Sequence, residues 1–158
     1  MNKIKIKNFG PIKAGLLEND GWMEINKVTV FIGNQGSGKS TVAKLISTFN
    51  WLEKTLIRGD IKEDAIANDY FIDLFRFHRL ENYFSLNTQI EYHGTVYNFQ
   101  CTNEKITVLK HNDKSVEQPK IMYVPAERNF LSAIPNINKV SNLVTGSLHT
   151  YSIEFRNA

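Results

Sequence analysis

"FIGNQGSGKST", residues 31–41, is the stretch whose reading decides the fold. Gly33, Gly38, Lys39 and Ser40 satisfy the pattern G-x-x-x-x-G-K-[ST]. An apolar run, "VTVFI" (28–32), precedes it and a helical pattern follows, which is the strand–loop–helix context such a loop requires. In that setting the backbone of Gly33, Asn34, Gln35, Gly36, Ser37, Gly38, Lys39, Ser40 and Thr41 curls so that successive N–H groups point inward. Its glycines let phosphate oxygens approach without a Cβ in the way. The start of the following helix adds partial positive charge at the same place. Lys39 is then expected to reach the β- and γ-phosphates of ATP as the catalytic cation, with the Ser40 hydroxyl on a bridging Mg²⁺. The competing reading is a glycine-rich turn with a chance lysine, and four fixed positions with two agreeing flanks weigh against it.

Outward from the loop, residues 2–7 alternate lysine with isoleucine, the period of a strand with one wet and one buried face. "NFGPIK" turns the chain, "AGLLE" is expected to return as a second strand, and "WMEI" to form a short one before the buried strand 28–32. Val42, Leu45, Ile46, Phe49, Leu52 and Leu56 recur at spacings of three and four, predicting an amphipathic helix from Lys39 to about Gly59. Ile66, Tyr70, Leu74, Phe77, Leu80 and Phe84 predict a second helical segment over 61–85. Alternating stretches in 88–110 predict an antiparallel meander, and "IMYV" a strand ended by Pro125.

Length and composition agree with one domain: 158 residues, 42% hydrophobic, with ten phenylalanines for a core. A formal charge of +3 permits an acidic partner without demanding one. No apolar run approaches a membrane span, and the first residues lack the apolar core of a secretion signal, so a cytoplasmic protein without membrane contact is expected. Cys101 is the only cysteine and is expected as a buried thiol in a strand. Lys3, Lys5 and Lys7 share a strand face and, with Lys13, are read as solvated edge-strand lysines, with contact to DNA phosphates as the alternative. His78, His93, His111 and His149 are expected at the surface.

Together, "IKIKNFGPIK", "VFIGNQGSGKST", an antiparallel insertion and "IMYVPAERN" resemble the N-terminal part of an ABC-type P-loop ATPase of the RecF and structural-maintenance-of-chromosomes branch. "YVPAERN" is more narrowly similar to bacterial AAA/ABC-like ATPases of overcoming-lysogenization-defect and anti-phage type, and the resemblance spans about residues 1–135. It implies an α/β P-loop NTPase fold, an ABC ATPase lobe with an antiparallel β subdomain and a helical insertion. It also implies ATP-dependent homodimerisation of the complete protein, with DNA or an effector nuclease as further partners. The segment 121–129 would stand at the family's Gln-loop strand end, where Glu127 replaces glutamine and is expected either to serve Mg²⁺ or its water shell or to pair with Arg128.

The second metal carboxylate that phosphoryl transfer requires is not evident. "YFID", ending at Asp73, lies in a helical pattern and reads as a solvated helix carboxylate. No "LSGGQ"-like signature or switch histidine is recognised. The whole of 1–158 is therefore expected to be the N-terminal portion of a larger ATPase domain, incomplete and inactive alone. Two rivals stand beside this reading: a P-loop small-molecule kinase, for which the meander is ill suited, and a non-catalytic interaction module presenting Phe71, Phe75 and Phe77, aromatics whose spacing more often marks a core.

Overall fold

Lysine–isoleucine alternation does build a half-buried strand: Ile4 and Ile6 are fully buried and the intervening lysines are not. The computed structural model describes residues 1–66, 68–102, 105–111, 121, 123 and 124, and within them the protein is a mixed α/β structure. The strands are β1 (Asn2–Lys7), β2 (Trp22–Ile25), β3 (Gln89–His93), β4 (Tyr97–Thr102) and β5 (Lys105–Lys110), with two helices, α1 (Lys39–Arg58) and α2 (Asn68–Arg76). One antiparallel sheet runs in the order β2-β1-β3-β4-β5. Its register sets Ile4 opposite Tyr92, Ile6 opposite Ile90, and Tyr92 opposite Phe99, so one face is continuously apolar.

Helix α1 covers that face with Leu45, Phe49, Leu52 and Leu56, the stripe expected from its spacing. Phe49 is the hub: it stacks on Tyr92 at 5.1 Å and 12° and meets Phe71, Phe75 and Phe99 at 5.6–6.1 Å. Polar contacts fix the helix along the sheet. The Tyr92 hydroxyl donates to Asn50 Oδ1 (2.6 Å) and accepts from Asn2 Nδ2 (3.1 Å). The buried Glu53 carboxylate accepts the N–H groups of Val96 (2.7 Å) and Tyr97 (3.1 Å) where β4 begins. Cys101 is buried in β4, as expected of it.

Several expectations are corrected. "AGLLE" is not a strand: the partner of β1 is "WMEI", and Gly15 within it takes a left-handed φ of 77°, away from extended backbone. β1 lies inside the sheet, so its lysines are not edge lysines, and Lys3 and Lys5 extend over the Trp22 ring at 4.4 and 5.7 Å. The helical segment 61–85 contracts to nine-residue α2 with 3-10 turns at Glu63–Ala65 and Glu81–Tyr83. Phe71 and Phe75 enter the core while Phe77 is 40% exposed. His78 is buried at 4% exposure, against its expected surface place. Residues 28–32 lead into the loop without belonging to the sheet, and Val28, Val30 and Ile32 are 79%, 73% and 93% exposed. Their alternation is that of a strand, but no described strand pairs with them, and only Phe31 packs against the core.

Candidate functional site

Gly38 precedes α1 in the left-handed region (φ 91°) and offers no side-chain cap. The first-turn N–H groups, which have no intrahelical acceptor, are therefore left to a ligand or solvent. Gly36 also has positive φ (78°), with nothing within 4 Å of where a Cβ would be, whereas a Cβ on Gly38 would lie 2.8 Å from Ile12 Cγ1. The loop is thus seated against the turn that follows β1. That turn is tight: Phe9 and Ile12 exchange backbone hydrogen bonds of 2.9 and 3.0 Å around Gly10–Pro11, with Gly10 at φ 53°, the position at which such turns need glycine.

Lys39 closes the loop on itself. Its ammonium donates to the carbonyls of Gly33 (2.7 Å) and Asn34 (2.6 Å) and to Ser37 Oγ (3.3 Å), tying the helix start to the loop start. Beside it opens a cavity of about 400 Å³, bordered by Gly36, Gly38, Lys39 and Ser40 and completed by Gly10, Pro11 and Tyr83. Among the described residues that border it none is acidic, and the positive charge they bring comes from Lys39 and from the helix N-terminus. Ser40 is exposed at the first turn of α1, a fitting place for a hard cation that keeps several waters and binds few protein oxygens.

Of the residues singled out by sequence, Gly36, Gly38, Lys39 and Ser40 meet at the cavity, and Gly33, Asn34 and Ser37 shape the loop through Lys39. Gln35 is exposed in the turn and Thr41 is buried in the core side of α1. Glu127, the rest of the expected Gln-loop end beyond Val124, and His149 lie outside the described residues. Asp73 is exposed on α2 and pairs with Arg76, the solvated carboxylate expected of it. Among the described residues no three His, Cys, Asp or Glu side chains cluster as a metal site, and no helix is long and apolar enough to cross a membrane.

Sequence reasoning missed Gly10, Pro11 and Tyr83 as walls. "NFGPI" was legible as a turn, but its contact with the loop 33–41 depends on Ile12 meeting Gly38, and Tyr83 sat inside a segment read as helix. The chain matches no protein-family model, no curated protein and no solved structure.

Proposed function

We propose that this chain is the ATP-gripping lobe of an ABC-type P-loop ATPase. The observation that carries the reading is the Lys39 ammonium, held across its own loop by Gly33 and Asn34 beside a cavity bordered by Gly36, Gly38 and Ser40. A polyanion entering there meets the ammonium, the uncapped N–H groups of α1 and a favourable helix dipole, the combination that recognises phosphate rather than carboxamide or sugar. Ser40 Oγ is the residue that would hold Mg²⁺, which when bound neutralises charge on the phosphates.

Binding and turnover separate in this proposal. Phosphate contacts act on the ground state, whereas hydrolysis requires groups that act in the transition state, a metal carboxylate and signature donors expected from an ATP-dependent homodimer of a larger protein. DNA or an effector nuclease would be the partner of that larger assembly.

Calorimetry of the chain with Mg-ATP tests the grip. Lys39→Ala should lower affinity at least about tenfold, the order of one charge-assisted contact. Because the Lys39 side chain, among the described residues, bonds within its own exposed loop, the unliganded variant should keep its stability within about 0.5 kcal/mol. Equal binding by the variant and its parent would remove the assignment. The isolated chain should release no phosphate above the Lys39→Ala background, and turnover abolished by that substitution would show that it carries its own catalytic acid.

A further inference from the structure

The cavity beside the phosphate loop has a second set of walls that phosphate does not need. Gly10, Pro11 and Tyr83 present a backbone, a pyrrolidine ring and a phenol, none of them charged. A second cavity of about 320 Å³ shares Gly10 and Tyr83 with the first and is bordered also by Asn8, Asn82 and Asn87 and by one charged residue, Lys13. Tyr83 therefore stands between the loop and a recess in which three asparagines and Lys13 offer hydrogen-bonding groups.

Its position is fixed from several sides. The Tyr83 N–H donates to the Leu80 carbonyl (3.0 Å), and the Tyr83 carbonyl accepts the Gly10 N–H (3.2 Å). The ring lies edge-on to the buried Phe9 at 5.7 Å and 71°. A Cβ on Gly10 would fall 2.6 Å from Tyr83 Cγ, so the ring occupies space that only glycine leaves free. Yet Tyr83, packed in part against the core, is not fully buried, as a ring available for stacking must not be. A preorganised aromatic loses little freedom on binding a flat ligand.

From this geometry we infer that Tyr83 is the stacking platform for the base of the bound nucleotide and, with the neighbouring amides, determines how tightly the nucleoside part is held. The inference rests on the phosphate-loop reading and extends it: the loop takes the triphosphate, and the wall made by the turn after β1 and by Tyr83 takes the heteroaromatic ring. Bases stack on aromatic side chains regardless of identity, so Tyr83 supplies affinity, while Asn82 and Asn87, beside an Asn8 amide that donates to the Asn87 carbonyl, border the space left for the hydrogen-bonding edge.

The test compares Mg-ATP with Mg-tripolyphosphate, which has the phosphates and no nucleoside, by calorimetry on the full chain. Tyr83→Leu should weaken ATP about tenfold or more, the usual loss of one base–aromatic stack, and leave tripolyphosphate unchanged. Tyr83→Phe should retain ATP affinity. Tyr83→Trp should retain it also, with indole emission that changes on adding ATP and not on adding tripolyphosphate. Unchanged ATP binding in Tyr83→Leu, or equal losses for both ligands, overturns the platform while leaving the loop intact. Should Tyr83→Leu fail to fold, Tyr83→Trp decides: emission indifferent to ATP, or equally sensitive to both ligands, overturns it. Binding of ATP and tripolyphosphate that is insensitive to Lys39→Ala overturns the loop reading and the platform with it.

Discussion

The imidazole of His78 lies edge-on to Phe77 and to Tyr123, both at 4.9 Å, and its Nδ1 has no hydrogen-bond partner among the described residues. Its carbonyl accepts the Lys44 ammonium at 3.0 Å, which brings a positive charge close to the ring. Burial first, and Lys44 second, lower its pKa from 6.5 to about 4. A folded value below the unfolded one means the unfolded chain binds the proton more readily. The stabilising contribution is therefore complete above about pH 6.5 and is lost as pH falls toward 4, at a rate approaching 1.4 kcal/mol per pH unit. Urea denaturation at pH 7.5 and pH 5.0 should show the loss, and His78→Phe should flatten the part of the slope that His78 causes. Identical slopes would place the titration elsewhere. Glu53 shows the opposite solution for a buried group: two backbone donors satisfy it, and Gly94 leaves it room, since a Cβ there would touch the carboxylate. Glu53→Ala would orphan the N–H groups of Val96 and Tyr97 and should cost about 2–4 kcal/mol in chemical denaturation. A loss under about 0.5 kcal/mol would mean that water serves those donors equally well.

At the level of elements, the two helices end in the same motif built from different residues. After α1 the N–H of Gly59 donates to Leu56 and that of Asp60 to Thr55; after α2 the N–H of Arg79 donates to Arg76 and that of Leu80 to Phe75. Each places one residue in the left-handed region, Gly59 at φ 75° and Arg79 at φ 58°. Glycine adopts that conformation freely, whereas a side chain there costs roughly 1–2 kcal/mol. Arg79→Gly should accordingly raise stability by up to about 1 kcal/mol, and Gly59→Ala should lower it by about 1 kcal/mol. A lower denaturation midpoint for Arg79→Gly would show that the arginine side chain makes contacts that outweigh its backbone strain. The same contrast explains which elements were legible in the sequence. α1 announces itself with a stripe, a glycine at each end and twenty uninterrupted residues, and the meander β3–β5 with clean alternation. α2 was read too long because its stop is an arginine, which carries no stop signal. β2 was read where it lies, but "AGLLE" was read as a strand beside it because local pattern does not show that the register with β1 belongs to "WMEI". At the site, the glycine-rich loop 33–41 is a local motif and was legible as a loop leading into a helix, while the Gly10–Tyr83 wall exists only through a contact between segments far apart in the chain.

Across the described residues, the core lies between the sheet and its two helices, and the segment 28–32 that enters the glycine-rich loop touches it through Phe31 alone. Ile4, Ile6, Leu45, Phe49 and Leu52 are at most 1% exposed, whereas Val28, Val30 and Ile32 lie far out in solvent. Hydrophobic periodicity cannot tell these cases apart, because an apolar run predicts a buried strand only when a neighbour is present to pair with it. The difference has an energetic consequence in this chain. Truncating a fully enclosed side chain loses both transfer energy and packing, so Leu45→Ala should cost about 2–5 kcal/mol. Val30→Thr keeps the β-branched shape, exchanges a methyl for a hydroxyl already in water, and should change stability by less than about 0.5 kcal/mol. A central strand would respond in the opposite way, since a hydroxyl enclosed without a partner costs at least about 1–3 kcal/mol. Denaturation of the two variants beside the parent measures both arms. Comparable large losses for Leu45→Ala and Val30→Thr would mean that residues 28–32 are enclosed in solution, and the exposed alternation would then have to be replaced by a paired strand feeding the loop.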